Sequence, residues 1–160
     1  MVGGFLYSRT ASGAGFLAKG KMMVNSTVWK LDPRGNQYDA EFAAAEKANG
    51  LPAGLLRRMA YQESRFDPAA KSPAGALGLM QFMPKTAASM GFSPLDPHAS
   101  IKNAGIMMRG LIKQFGRVDY ALAAYNWGAG NMSRYLAGQT KMPAETVAYM
   151  QQAADVGAVA

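Results

Sequence analysis

Cysteine is absent from the 160-residue chain. That excludes a disulfide framework, a zinc ribbon and a thiol nucleophile. Histidine occurs once, as His98, which argues against a His-rich metal site and a Ser-His-Asp triad. No run of about 18 apolar residues exists, so no transmembrane span is expected. Near the N-terminus the apolar patches at Phe5 to Tyr7 and Gly13 to Ala18 are interrupted by Ser8, Arg9 and Ser12. No continuous apolar stretch of a secretory signal forms there. The 18 glycines follow no fixed period, which excludes a collagen-like or low-complexity chain. Acidic residues are scarce, ten against seventeen Lys and Arg.

What is present is an ordinary globular composition, 49% hydrophobic and 17% charged. That is enough apolar surface for a core, and it excludes disorder along the whole chain. The net charge of +7 and pI near 9.8 favour polyanionic partners: nucleic acid, an anionic membrane surface or the bacterial wall. No basic patch interleaved with aromatics and no nucleic-acid reader motif occurs, so nucleic-acid binding is not expected.

Residues 1–36 read as a basic Gly/Ser-rich arm without helical period, ending in the turn signal Asp32-Pro33-Arg34-Gly35-Asn36. From Tyr38 the pattern is helical. Ala and Glu predict a helix over 39–49 stopped by Gly50. Pro52 suits the first turn of a second helix, striped by Leu55, Leu56, Met59 and Ala60 and ending near Glu63–Ser64. Residues 66–79, with Pro68, Pro73, Gly75 and Gly78, read as loop. A short helix is expected over 86–90. The clearest helix is 97–115: Asp96 caps it, Pro97 opens it, seven residues from Ile101 to Phe115 keep the 3.6-residue period, and Gly116 ends it. Lys102, Arg109 and Lys113 fall off that stripe, as a solvated face. Further helices are expected over 119–127, 131–136 and 143–154. No segment carries convincing strand alternation, so the class is mostly α. The catalytic unit is placed at 37–155, with 156–160 as a tail.

Few residues offer chemistry. Glu63 lies at the end of an apolar helix and before a Gly/Pro-rich loop. A carboxyl at such an edge has its pKa raised by desolvation and can act as a general acid. The alternative is a simple ion pair with Arg57, Arg58 or Arg65. Tyr125, Asn126, Trp127 and Tyr135 gather around the Gly128–Gly130 break. Flat rings and an amide suit a sugar, although helix-end core residues with satisfied polar tips are commoner.

Taken as a string, the segment from Glu63-Ser64-Arg65-Phe66-Asp67-Pro68 to Gly75-Ala76-Leu77-Gly78-Leu79-Met80-Gln81 resembles the signature of the soluble lytic transglycosylase (SLT) family, whose catalytic domain has a goose-lysozyme-like helical fold. Two later blocks fall in the family's order, Ala121-Leu122-Ala123-Ala124-Tyr125-Asn126-Trp127-Gly128-Ala129-Gly130 and Pro143-Ala144-Glu145-Thr146-Val147-Ala148-Tyr149. The resemblance spans roughly residues 38–152. It implies cleavage of the MurNAc-β-1,4-GlcNAc bond of peptidoglycan with formation of 1,6-anhydro-MurNAc. Glu63 would be the single catalytic acid and base, with no metal or other cofactor. Ser72 matches a serine near the acid or the N-acetyl group. Met80 and Gln81 match cleft-lining residues, Tyr125 and Asn126 residues near acid and sugar, and Tyr149 a tyrosine at the cleft. Glu145 matches a carboxylate that is more often structural. Gly75 and Gly78 match glycines whose physical reason is a turn or a close backbone approach. Trp127 departs from the family, which usually has a small residue there; its ring either extends the sugar platform or narrows the cleft.

The alternatives are a goose-type lysozyme, in which water attacks instead of the 6-hydroxyl, and a structural virion component that keeps the fold. The partner implied is the glycan strand, reached in the periplasm or cell wall. Delivery is expected from a phage virion or secretion apparatus, with residues 1–36 as the contact to it.

Overall fold

The computed structural model describes residues 28–158. Among these the chain is helical as expected, with no β-strand and two isolated antiparallel bridges, Lys71 with Leu77 and Leu77 with Phe82. The expectations for residues 1–27 and 159–160 lie outside the described residues.

The elements are α1 (Val28–Leu31), a 3₁₀ helix η1 (Pro33–Tyr38), α2 (Asp39–Asn49), α3 (Leu55–Ser64), α4 (Pro84–Met90), α5 (Pro97–Phe115), α6 (Val118–Trp127), α7 (Ala129–Leu136), α8 (Ala144–Met150) and α9 (Gln152–Asp155). Local chemistry sets their ends. Asp96 accepts from the His98 and Ala99 backbone N–H groups and so satisfies two donors at the start of α5. Gly50, Gly91 and Gly116 close α2, α4 and α5 in the left-handed conformation.

The centre is α3, where nine of ten residues are buried; a helix buried all round is a rigid post rather than a surface element. Leu55, Leu56, Met59 and Ala60 have no exposed area. They pack in one cluster with Phe42 of α2, Ile101, Ala104 and Met108 of α5, Leu122 and Tyr125 of α6 and Tyr149 of α8. The α5 stripe is buried at Ile101, Ala104, Gly105 and Met108 and only partly buried from Leu111 onward, while Lys102, Arg109 and Lys113 are exposed. Helix α5 lies against α2 and α6, and α6 against α7, α8 and α9.

Four sequence expectations are corrected. The packed structure starts well before residue 37. Trp29 is a core residue at 3% exposure, and Gly35 is buried. Arg57 of α3 reaches back to the carbonyls of Trp29, Lys30 and Asp32, to Asn36 Oδ1 and to the Asp39 carboxylate. A guanidinium satisfies five acceptors only by gathering them round one fork, so residues 28–39 wrap α3. Gly35 belongs to that wrap: a Cβ there would lie 2.6 Å from Arg57 Nη1. Pro52 lies outside α3, which begins three residues later; the buried Glu46 carboxylate takes the Gly54 and Leu56 N–H groups at 3.0 and 2.8 Å and sets that start. The stretch read as one helix over 143–154 breaks at Gln151 into α8 and α9. Val156 and Ala158, read as tail, pack against the core.

Candidate active site

Three acidic side chains are buried among the described residues: Glu46, Glu63 and Asp119. Their partners separate them. Both Glu46 oxygens accept backbone N–H groups. Asp119 is paired with Arg117 at 2.5 Å. Glu63 has no exposed area and no cation. The Tyr149 hydroxyl donates to Glu63 Oε1 at 2.7 Å, and among the described residues Glu63 Oε2 has no hydrogen-bond partner. The ion-pair alternative fails for each arginine. Arg57 is engaged as described, Arg58 pairs with Asp155 at 2.9 Å, and Arg65 donates to the Tyr61 carbonyl and lies 4.2 Å over the Tyr61 ring.

The electrostatic consequence is direct. Burial removes the water that would solvate the carboxylate and raises the Glu63 pKa from 4.5 to about 8; the Tyr149 hydrogen bond opposes this by favouring the charged form. Glu63 therefore carries its proton at neutral pH, and Oε2 is the oxygen free to hold it. No other acidic side chain contributes to the shift. Asp67, nearest in sequence, caps the Ala69 N–H at 2.8 Å in an exposed turn. Burial also pushes the Tyr149 and Tyr125 hydroxyls well above their ordinary value, with Glu63 adding to both. Both therefore stay protonated and act as donors. Since Glu63 is wholly enclosed, a substrate reaches Oε2 only when a neighbouring group gives way.

The post and the loop over it are stapled together. Ser64 Oγ donates to the Ala60 and Leu79 carbonyls, and Tyr125 Oη donates to the Met80 carbonyl at 2.8 Å. The non-glycine residues with positive φ among the described residues are Arg65 (54°), Phe66 (64°) and Gln81 (53°), at the two ends of the loop that follows Glu63. Such strain persists only where packing enforces it, and it concentrates at functional sites. Here Phe66 is held between Tyr61 and Phe42.

Of the residues expected at the site, Glu63, Tyr149 and Tyr125 come together. Ser72 is buried, and its hydroxyl accepts the Ala76 N–H at 3.0 Å. Met80 is in the core and offers its carbonyl. The Gln81 amide donates to the Ala70 and Gly78 carbonyls. Asn126 Oδ1 accepts from the buried Thr146 hydroxyl at 3.0 Å. Tyr125 is no exposed sugar platform: it is fully buried with its polar tip satisfied. Trp127 is half-buried and Tyr135 exposed. Sequence reasoning passed over Ser64, Thr146 and Asp155 and gave Arg58 only as an ion-pair partner for Glu63; Thr146 and Asp155 find their partners on helices distant in sequence. An open groove between α2 and α5, bordered by Ala44, Ala48, His98, Ile106 and Arg109, contains none of these residues.

Replacing Tyr149 by Phe removes the one side-chain hydrogen bond to Glu63 among the described residues. The Glu63 pKa then rises further, because the opposing influence is lost. A hydrogen bond to a charged group is worth about 1.5–3 kcal/mol, so a step that forms the carboxylate from the acid slows by about 10- to 100-fold. A pH–rate profile whose alkaline limb stays in place, or moves to lower pH, would contradict this.

Comparison with known proteins gives a consistent result. The transglycosylase SLT domain family matches residues 40–147. The peptidoglycan transglycosylase of Escherichia phage T7 is 40% identical over 106 residues, covering 61% of this chain and 8% of that protein. The membrane-bound lytic murein transglycosylase F of Alcanivorax borkumensis is 42% identical over 110 residues, covering 64% of this chain and 24% of that protein. The chain thus spans a quarter or less of the length of these relatives. Among solved structures, the 70-kDa soluble lytic transglycosylase in complex with bulgecin A has a TM-score of 0.66 at 28% identity, covering 88% of this chain and 26% of that one. An inactive mutant of the lytic transglycosylase Slt from Pseudomonas aeruginosa, at 23% identity and a TM-score of 0.67, covers 90% of this chain and 26% of that one and shares the fold. With the family match over most of the helical domain and the same fold in these neighbours, the chain belongs to the transglycosylase SLT family.

Proposed function

We propose that the chain is a peptidoglycan lytic transglycosylase in which Glu63 serves in turn as acid and base. The observation that carries this is a wholly buried carboxyl, protonated at neutral pH, with one oxygen held by Tyr149, the other unpartnered, and no second carboxylate acting on it. Ordinary glycosidases pair two carboxylates about 5–10 Å apart. A site with one acid draws its second group from the substrate.

Peptidoglycan supplies that group. Glu63 Oε2 gives its proton to the glycosidic oxygen as the C1–O bond breaks, and the MurNAc N-acetyl group steadies the positive charge at C1. The MurNAc 6-hydroxyl then attacks C1, and its proton passes to the Glu63 carboxylate. The acid is restored, and the product ends in 1,6-anhydro-MurNAc with no water consumed. Attack within one sugar is fast because the reacting groups are already joined; effective molarities reach about 10⁵–10⁸ M in good geometry. The proton transfers fit a group whose pKa lies near the working pH.

Ser72, Met80, Gln81 and Asn126 brace the loop and helix ends of the domain through their hydrogen bonds, and Trp127, half-buried at the end of α6, is assigned to substrate binding. The relatives' names support the reaction class. The phage relative supports delivery by a virion and action in the periplasmic wall; the contact to it is assigned to residues 1–27, since residues 28–36 are packed against α3.

Digestion of purified sacculi, followed by mass spectrometry, tests the reading. Muropeptides ending in anhydro-MurNAc, lighter by one water than reducing ends, are expected. Reducing MurNAc ends would make the chain a hydrolase. No release at all would leave it a structural member of a particle.

A further inference from the structure

We propose that Tyr149 is held against Glu63 by a two-point clamp, the Asn126–Thr146 hydrogen bond before it and the Arg58–Asp155 ion pair after it. Thr146 and Asp155 are then positioning residues for the acid. This rests on Glu63 being the acid proposed above.

Helix α8 has seven residues and no side-chain cap at its start. A helix that short is not stable on its own, so the place of Tyr149 is decided by what ties α8 down. One turn before Tyr149, Thr146 Oγ1 donates to Asn126 Oδ1 at 3.0 Å; both residues are buried, at 1% and 5% exposure. This fixes the start of α8 to α6. After Tyr149 the chain breaks at Gln151 and enters α9, whose last residue, Asp155, accepts from Arg58 Nε at 3.1 Å and Nη2 at 2.9 Å through Oδ2. Arg58 is 8% exposed and sits on α3, the helix that carries Glu63.

The contacts therefore close a ring: Glu63, along α3 to Arg58, across to Asp155, back through α9 and α8 to Tyr149, and across 2.7 Å to Glu63. A hydroxyl must stay within hydrogen-bond distance of a carboxyl to act on it, and a shift of about 1 Å is enough to lose most of the effect. Breaking either tether frees one end of α8.

The groups facing the acid are few. Tyr149 from α8 donates to Glu63, Tyr125 from α6 lies near enough for Glu63 to raise its own titration, and the Arg58 charge is felt at Tyr149. Loosening Tyr149 leaves burial unopposed, so the Glu63 midpoint moves up.

The test is a set of double-mutant cycles on the full chain without substrate. Thr146→Val and Asp155→Asn are made singly and on a Tyr149→Phe background, and the Glu63 carboxyl is titrated by ¹³C NMR with labelled glutamate. Each tether variant is expected to raise the Glu63 midpoint when Tyr149 is present and to leave it unmoved when Phe replaces it. Release of muropeptides from sacculi falls about 10- to 100-fold in the single variants, and Thr146→Ser, which keeps the hydroxyl, restores it. Equal shifts on both backgrounds, or no shift in a folded single variant, overturn the clamp. If Asp155→Asn does not fold, the Thr146→Val and Thr146→Ser pair decides. The titration does not depend on catalysis: an active Glu63→Gln variant would remove the acid assignment and leave the cycles to judge the clamp.

Discussion

Glu63→Gln is expected to lower release of muropeptides from sacculi by about 10³-fold or more and to make the protein more stable at neutral pH. The two effects share one cause. A positioned general acid and base contributes about 10²–10⁴ in rate, and in the proposed reaction the same group serves both proton transfers. The amide keeps the acceptor for the Tyr149 hydroxyl and the volume of the side chain but has no proton to give. The stability gain follows from the shifted titration. In the folded protein Glu63 stays protonated to about pH 8 because of burial, while the unfolded chain ionises near 4.5. Between those values the unfolded state has lost a proton that the folded state keeps, so folding weakens as pH rises, by about 1.4 kcal/mol per unit. Glutamine does not titrate and escapes the penalty. The variant should match the wild type at pH 4, gain up to about 3 kcal/mol at pH 7, and gain no further above about pH 8. Denaturant unfolding at pH 4, 6 and 8 reads this. A gain that does not change with pH would mean that Glu63 is not buried as a neutral acid.

The position of Glu63 was legible because its signals are local, an apolar helix, a carboxyl at its end, and a loop rich in Gly and Pro; its burial without a cation was settled only when Arg57, Arg58 and Arg65 were placed on other partners. Helix α5 was legible for the same reason, with cap, proline, period and terminal glycine all within about twenty residues. The start of the packed domain was not. Residues 28–36 have the composition of a loose segment, and their order comes from Arg57, more than twenty residues away. The cue was the short apolar group Val28, Trp29 and Leu31, too brief to show a period. Glu46 gave no signal at all, because a carboxylate that binds two backbone N–H groups looks like any helix glutamate until Gly54 and Leu56 are placed beside it. Tyr149 is 86 residues from Glu63 in sequence, and only the resemblance to the family pointed to it. That resemblance also suggested Tyr125 and Asn126 as contacts to sugar, where buried scaffold bonds are found. A recurring residue marks a position that matters without saying whether it touches substrate or holds something that does.

Gly78→Ala should be the most damaging single methyl group that can be added to the loop over the acid, and Gly75→Ala its control. Both glycines have positive φ, 94° at Gly75 and 77° at Gly78. A Cβ at Gly75 meets nothing within 4 Å, so alanine there costs only the left-handed backbone, about 1–2 kcal/mol. A Cβ at Gly78 would lie 1.9 Å from the Pro94 carbonyl oxygen and 3.0 Å from its carbon. No rotamer relieves that contact, because both partners are backbone. Either the 93–96 turn or the loop itself must move. Gly78 is also bonded on both sides: its N–H donates to the Ala70 carbonyl at 2.8 Å, and its carbonyl accepts from the Gln81 side chain at 2.9 Å. Moving the loop therefore breaks those bonds and shifts the Leu79 and Met80 carbonyls that hold Ser64 and Tyr125 beside Glu63. Backbone strain together with one or two lost buried hydrogen bonds gives a loss of about 4 kcal/mol or more. On a marginally stable domain that leaves little folded protein. Thermal unfolding of the two variants side by side measures the difference. If Gly78→Ala is no less stable than Gly75→Ala, the close approach of the two backbones is not tight, and the loop that encloses the acid can shift at little cost.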